Sequence, residues 1–126
     1  MQRKSRTEHG RIAEEIARDY LNSRFGLVLL ERNYRTPHGE IDLIMKDGDV
    51  TVFIEVRSRT RQSFLDTLET IDRRKCMRII NSSEYYLQRQ KINCNNMKCR
   101  FDVVTLNGPL ETARLEWIKD AFEVRP

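Results

Sequence analysis

Apolar positions in the first part of the chain recur at helical spacing. Ile12, Ala13, Ile16, Ala17, Tyr20, Leu21 and Phe25 fall on one arc, which predicts a helix from about Glu8 to Phe25. Gly26 is a good C-terminal stop for it. Ahead of the helix, Met1 to Thr7 read as a basic, flexible arm. The pattern then changes period. "LVLLERNYR", Leu27 to Arg35, reads as a strand that "TPHG" breaks, and "EIDLIMK" with "VTVFIEVR" reads as a hairpin around Asp47-Gly48. Ser58 to Ser63 form a polar, arginine-rich loop. Helical spacing returns near Leu65 and continues to about Gln90, with an interruption near Asp72. After the loop "INCNNMK" come a fourth strand, "CRFDVVTL", ended by "NGP", and a fifth, "ARLEWI". Helix, three strands, helix, two strands predict one α/β domain over residues 1–126, a central mixed sheet flanked by helices.

Acids interrupt the strand pattern. Alternation puts Phe53, Glu55 and Arg57 on one face of their strand and Ile54 and Val56 on the other. On the partner strand Glu40, Asp42 and Ile44 share a face, and Ile41, Leu43 and Met45 the other. The turn decides whether the acidic faces meet. A loop made only of Asp47-Gly48 pairs Asp42 with Phe53 and leaves Asp42 diagonal to Glu55. A four-residue loop sets Asp42 directly opposite Glu55. A three-residue loop separates them, because a one-residue slip reverses the faces.

Two adjacent carboxylates repel and resist desolvation. One reading is a solvated charged face on which Arg57 neutralises the acids. The other is a divalent metal site, since Mg²⁺ takes one or two carboxylates, waters and phosphate oxygens. Glu14, at the edge of the helical arc, is either a boundary residue or a third acid facing the sheet.

Composition bounds these readings without choosing between them. The 126 residues include 39% hydrophobic and 33% charged, a globular balance, and 23 basic against 19 acidic residues leave a net charge of +4. That excess permits a nucleic-acid partner without requiring one. Three cysteines without a pairing pattern suggest a reducing compartment. Cys94 and Cys99 have no histidine at ligand spacing, so a zinc site is disfavoured. The basic N-terminus lacks an apolar segment after it, and no apolar run approaches a membrane span, so the expectation is a cytoplasmic protein with no membrane partner.

"GRIAEEIARDYL", "ERNYR", "GEIDLI", "FIEVRSR" and "RFDVV" occur in that order. With them the chain, from about Gly10 to Phe122, resembles the YraN-like bacterial proteins. These are expected endonucleases of the PD-(D/E)xK superfamily, related to archaeal Holliday-junction resolvases. The resemblance implies a restriction-endonuclease-like core, and Mg²⁺ or Mn²⁺ held by Asp42 and Glu55. It also implies that Glu14 is the acid of the first helix and that Lys75 matches a lysine of the second. The implied activity is hydrolysis of DNA phosphodiester bonds, with branched DNA among the substrates, and a homodimer is the implied assembly. One position departs from the pattern. Arg57 stands where the superfamily carries lysine. Arginine binds phosphate and stabilises charge but does not serve readily as a general base. The alternative is therefore a nucleic-acid-binding module that kept the fold without the chemistry, unless Lys75 or Lys46 substitutes.

Basic residues cluster at Arg3, Lys4 and Arg6, at Arg32 and Arg35, at Arg57, Arg59 and Arg61, and at Arg73, Arg74 and Lys75. Each cluster alone reads as solvated surface. Jointly, Arg32, Arg35, Arg59, Arg61 and Lys75 would position a phosphate backbone across the acids. Tyr34 is expected as a packed strand aromatic rather than a base-stacking one. His9 and His38 read as surface and turn, and Asp102 as structural.

Overall fold

The computed structural model describes residues 2–59, 73–90 and 98–122, with side chains from residue 8 onward. Its elements are α1 (Gln2–Phe25), β1 (Val28–Thr36), β2 (Gly39–Asp47), β3 (Val50–Arg59), α2 (Arg73–Arg89), β4 (Cys99–Asn107) and β5 (Arg114–Ile118). They form an α/β fold in the expected order. Five strands make one sheet in the order β1-β2-β3-β4-β5. The β3–β4 pair is parallel and the other three are antiparallel, so the sheet is mixed. A parallel pair cannot be joined by a tight turn, and α2 lies in the crossover that joins β3 to β4.

α1 starts at Gln2 rather than near Glu8, so residues 2–7, expected as a flexible arm, are helical. Gln, Arg and Lys are good helix formers and need no apolar periodicity to continue a helix. The other end is where Gly26 predicts it. Gly26 has φ 77, its N–H reaches the Asn22 carbonyl at 3.0 Å, and the Leu27 N–H reaches the Leu21 carbonyl at 3.2 Å. Only a residue without Cβ takes that left-handed turn at no steric cost.

The two sheet faces are covered separately. Ala13, Ala17 and Leu21 of α1 pack on Leu43, Met45, Val52, Ile54, Val104 and Leu106. Ile79, Ile80, Tyr86 and Leu87 of α2 pack on Ile41, Ile44, Phe53 and Phe101. Each fully buried aliphatic side chain contributes about 1.5–3 kcal/mol. Phe101, Val103 and Leu106 are buried, as their strand pattern predicts. Tyr34 packs edge-on against Tyr86 at 5.1 Å, the packed role expected of it.

Ile41 departs from the expected alternation. It should share a face with Leu43 and Met45, yet it joins the α2 layer. On β1, Tyr34 also lies with the α2 layer, whereas Arg32 reaches the carbonyl of Arg11 on α1. The reversal falls at Asn33, left-handed at φ 49, and at its register neighbour Asp42. Asn tolerates that conformation better than most residues, and one such residue flips every side chain beyond it.

The chain between β3 and α2 was expected to begin as a loop at Ser58. Instead β3 runs on to Arg59, held by β4 through Arg59↔Asn107, and the Gly108 N–H bonds the Arg59 carbonyl at 2.7 Å. The expected stretch of helix before Arg73 lies outside the described residues.

Candidate functional site

The turn settles the register of the hairpin. Asp47 pairs with Val50, so the loop is Gly48-Asp49, one residue later than the Asp47-Gly48 turn signal. Gly48, at φ 62, takes the left-handed position. The ladder continues through Met45↔Val52 to Leu43↔Ile54. One step further, Asp42 comes opposite Glu55, the arrangement expected of the longer even loop. There the two strands part. β2 stays with β1 as far as Thr36↔Gly39, and β3 stays with β4 as far as Arg59↔Asn107. A fork opens between β2 and β3, reachable from both helices. At its apex the Val56 N–H, no longer needed by the ladder, donates to Asp42 Oδ2 at 2.9 Å.

Glu14 comes to this fork from α1 and Lys75 from α2. Glu14 lies one turn before the buried Ala17 and Leu21, on the inward face, and is itself 9% exposed. Asn33 and Asp42 lie beside it, and its Oε1 is buried without a hydrogen-bond partner. Glu55 is 6% exposed, and two cations share its Oε2: Lys75 Nζ at 2.7 Å and Arg57 Nε at 3.2 Å. Gly39, at φ 146, takes a backbone conformation that side chains disfavour where α2 packs on the start of β2. A Cβ built there would sit 3.6 Å from both Arg78 Cβ and Ser82 Oγ. Thr36 Oγ1 and Ser82 Oγ, 2.9 Å apart, pin the same contact.

Electrostatics make Asp42 the uneasy member. Burial, then the charge of Glu55, hold its carboxyl well above the usual range; the Val56 N–H opposes, Glu14 adds to the rise and Lys75 reduces it. Glu14 is raised mainly by burial, against the hydrogen bond from Asn33.

Three adjoining depressions surround these groups. One of about 280 Å³ is lined by Glu14, Asp42, Glu55, Arg57, Arg59 and Lys75, with Gly10 and Ser58 on its rim. A second, about 230 Å³, shares Asp42, Glu55 and Lys75 and extends to Arg78 on α2. A third, about 300 Å³, shares Gly10 and Glu14 and extends to Arg11, Asn33, Arg35 and Glu40.

The structure therefore brings together Glu14, Asp42, Glu55, Arg57, Arg59 and Lys75. Arg35 lies in the third depression, in an exposed ion pair with Glu40 at 3.3 Å. Arg32 lies beside it, on the α1 face of β1. Arg61 is outside the described residues. Lys46 does not come to the fork. It pairs with Thr51 near the hairpin turn, four residues from Asp42 along β2, or about 13 Å at strand rise. Asn33 and Gly10 escaped the sequence reading. The signal for Asn33 was an asparagine inside a strand; the signal for Gly10 was a glycine inside a helix. His9 was read as surface; its Nε2 is 3.1 Å from Ser58 Oγ, which ties α1 to the end of β3.

Among the described residues no three or more His, Cys, Asp or Glu form a preformed metal cage. The donors at the fork are hard carboxylate oxygens, two on facing strands and one behind. A hard divalent cation that keeps several of its waters fits that set, whereas zinc or another soft ion does not.

Fold and site together define an α/β protein whose mixed sheet splits into a carboxylate-lined fork between two helices. The family model described as "Uncharacterised protein family UPF0102" matches residues 13–106. A UPF0102 protein of Pseudomonas aeruginosa is 45% identical over 123 residues, covering 96% of this chain and 97% of its own. One of Pseudomonas putida is 44% identical over 120 residues, 94% and 95% of the two chains. One of Pseudomonas syringae pv. syringae is 41% identical over 124 residues, 98% and 99%. The chain belongs to the UPF0102 family. Among the described residues no helix is long and apolar enough to cross a membrane.

Proposed function

We propose that the fork is the active site of a metal-dependent endonuclease of the PD-(D/E)xK type, hydrolysing phosphodiester bonds in DNA. The observation that carries the reading is the convergence of Glu14, Asp42 and Glu55, from three separate elements, on a cavity walled by Arg57, Arg59 and Lys75. Acids that repel beside cations that bind oxyanions suit a divalent ion and a phosphate together. Asp42 and Glu55 would hold Mg²⁺ or Mn²⁺, with Glu14 behind Asp42. When bound, such an ion supplies Lewis acidity to a phosphoryl oxygen and lowers the pKa of a water.

The remaining roles fall to the chain's own groups. Arg57 and Arg59, successive outward positions at the end of β3, bind the non-bridging phosphate oxygens as a guanidinium fork does. Lys75 provides the compact ammonium that Arg57 does not. Its Nζ is already 2.7 Å from Glu55, from the opposite wall of the fork. It hydrogen-bonds the charge that develops as the phosphodiester is attacked, a contribution of about 10²–10³-fold for one well-placed donor.

Calorimetric titration of Mg²⁺ or Mn²⁺, without and with a short DNA, tests the reading. Binding to the wild type that is lost in both Asp42→Asn and Glu55→Gln is the expected result, followed by cleavage in a screen of branched and linear DNA. No binding under either condition would sink it. A second reading has the Arg57–Glu55 ion pair at 3.2 Å as its support, since it places a permanent cation where the superfamily has lysine. It makes the protein a DNA-binding module without chemistry. Salt-dependent DNA binding with no cleavage of any substrate would favour it.

A further inference from the structure

Gly10 occupies an unusual position. It lies well inside α1, where glycine costs about 0.8–1.0 kcal/mol relative to alanine. It is absent from the left-handed residues, so the backbone does not demand it. Packing does not demand it either: a Cβ added there would meet no described atom within 4 Å. Yet it borders both the cavity at the acids and the depression that holds Arg11, Asn33 and Arg35. Glu14, nine-tenths buried with an unpartnered Oε1, lines the same two spaces one turn further along the helix.

We propose that Gly10 is a crossing point for a nucleic-acid strand. The sugar-phosphate backbone passes over the bare Cα of α1 from one depression to the other, and the flanking phosphate is held by Arg11 and Arg35. This rests on the reading of the fork as a phosphodiester site and adds the path of the substrate through it. Each depression, about 280 and 300 Å³, is near the lower limit of small-molecule sites, which suits one nucleotide apiece rather than a duplex. Glu40 sits in the outer depression too, so Arg35 must exchange its 3.3 Å ion pair for the phosphate. The pair is exposed and therefore weak, which makes the exchange easy.

The test compares wild type, Gly10→Ala, Gly10→Leu and Arg35→Ala. Thermal melts are recorded for each. Fluorescence anisotropy then follows a short labelled single-stranded oligodeoxynucleotide over a salt series with Mg²⁺ present. Both glycine variants should melt higher than wild type, because alanine and leucine favour the helix and their side chains meet open space. Their DNA affinity should fall all the same, slightly for alanine and at least tenfold for leucine. Arg35→Ala should weaken binding uniformly across sequences and reduce the salt slope by about one. Wild-type binding that Gly10→Leu leaves unchanged overturns the crossing alone and spares the phosphodiester reading. Absence of wild-type binding to the single strand at every salt overturns the crossing, and absence of binding to branched and duplex DNA as well overturns both.

Discussion

Two buried acid clusters lie along α1, one at its middle and one beyond its C-terminal end, and they are built on opposite terms. At the end marked by Phe25, Asp102 of β4 is fully buried and fully answered. It accepts from Arg100 Nε at 2.9 Å, Trp117 Nε1 at 2.9 Å and the Asp120 N–H at 2.9 Å. Arg100 reaches on to Asp47 at 3.0 Å, and Phe25 closes over Trp117 with ring centroids 4.8 Å apart. One acid meets several donors. At the fork three acids crowd a cavity, one oxygen of Glu14 has no partner, and burial first, then the charge of Glu55, raises Asp42. The Asp102 cluster locks β4 to β5 and the tail of the fold. The fork leaves a buried Glu14 oxygen unanswered beside an open cavity that Arg57, Arg59 and Lys75 also line. Buried charge of itself signals nothing about function; what separates the two is whether the protein satisfies its own polar atoms.

Mutations should divide along that line. Asp102→Ala leaves Arg100, the indole N–H and a backbone N–H without their acceptor. Urea unfolding should show a loss of about 3–5 kcal/mol, the scale for breaking a buried charge pair. A loss under 1 kcal/mol would mean that the hub is decorative. Lys75→Met is next, on activity rather than stability. Cleavage should fall about 10²–10³-fold while Lys46→Ala leaves it unchanged, since only Lys75 reaches Glu55. Equal effects of the two would break the assignment.

Asp42→Asn should reverse the sign seen at Asp102. A carboxyl whose folded pKa lies above its unfolded value of about 3.9 binds its proton more tightly in the native state, so it destabilises the fold progressively as pH rises through that window. Removing the charge relieves this. The mutant should equal or exceed wild type in stability at neutral pH, with the gap closing towards acid, as read by urea unfolding across pH. A neutral-pH stability well below wild type would show that Asp42 is structural after all. The smallest effect expected is that of Arg57→Lys. It keeps the positive charge beside Glu55, costs about 1 kcal/mol as typical single substitutions do, and raises cleavage if the ammonium matters there.

Much of this was legible in the chain and some of it was not. The helices, the five strands and their order follow from periods of 3.6 and 2, which each segment carries within itself. The same holds for the C-terminal stop at Gly26. Glu55 and Asp42 could be named because acids inside apolar strands are conspicuous, and Asp102 could be set aside as structural. Its partners Arg100 and Trp117 went unrecognised, because the bonds that tie them span β4, the hairpin and β5. The loop position was missed by one residue, since Asp47-Gly48 and Gly48-Asp49 are both good turn pairs. Alternation failed at Ile41 because it assumes an unbroken strand, and Asn33 breaks the neighbouring one.

By itself the sequence determined which residues are apolar, which are charged, and the local period in which they recur. Backbone geometry converts that into elements over a few residues. It could not determine which charges meet. Asp42 faces Glu55 because the hairpin closes at Val50 and the strands part past Leu43, and Lys75 reaches Glu55 because α2 packs on the β2 side of the sheet. Those are contacts between segments far apart in the chain. Their geometry is set by sheet register and helix packing together, and no single stretch of sequence contains it.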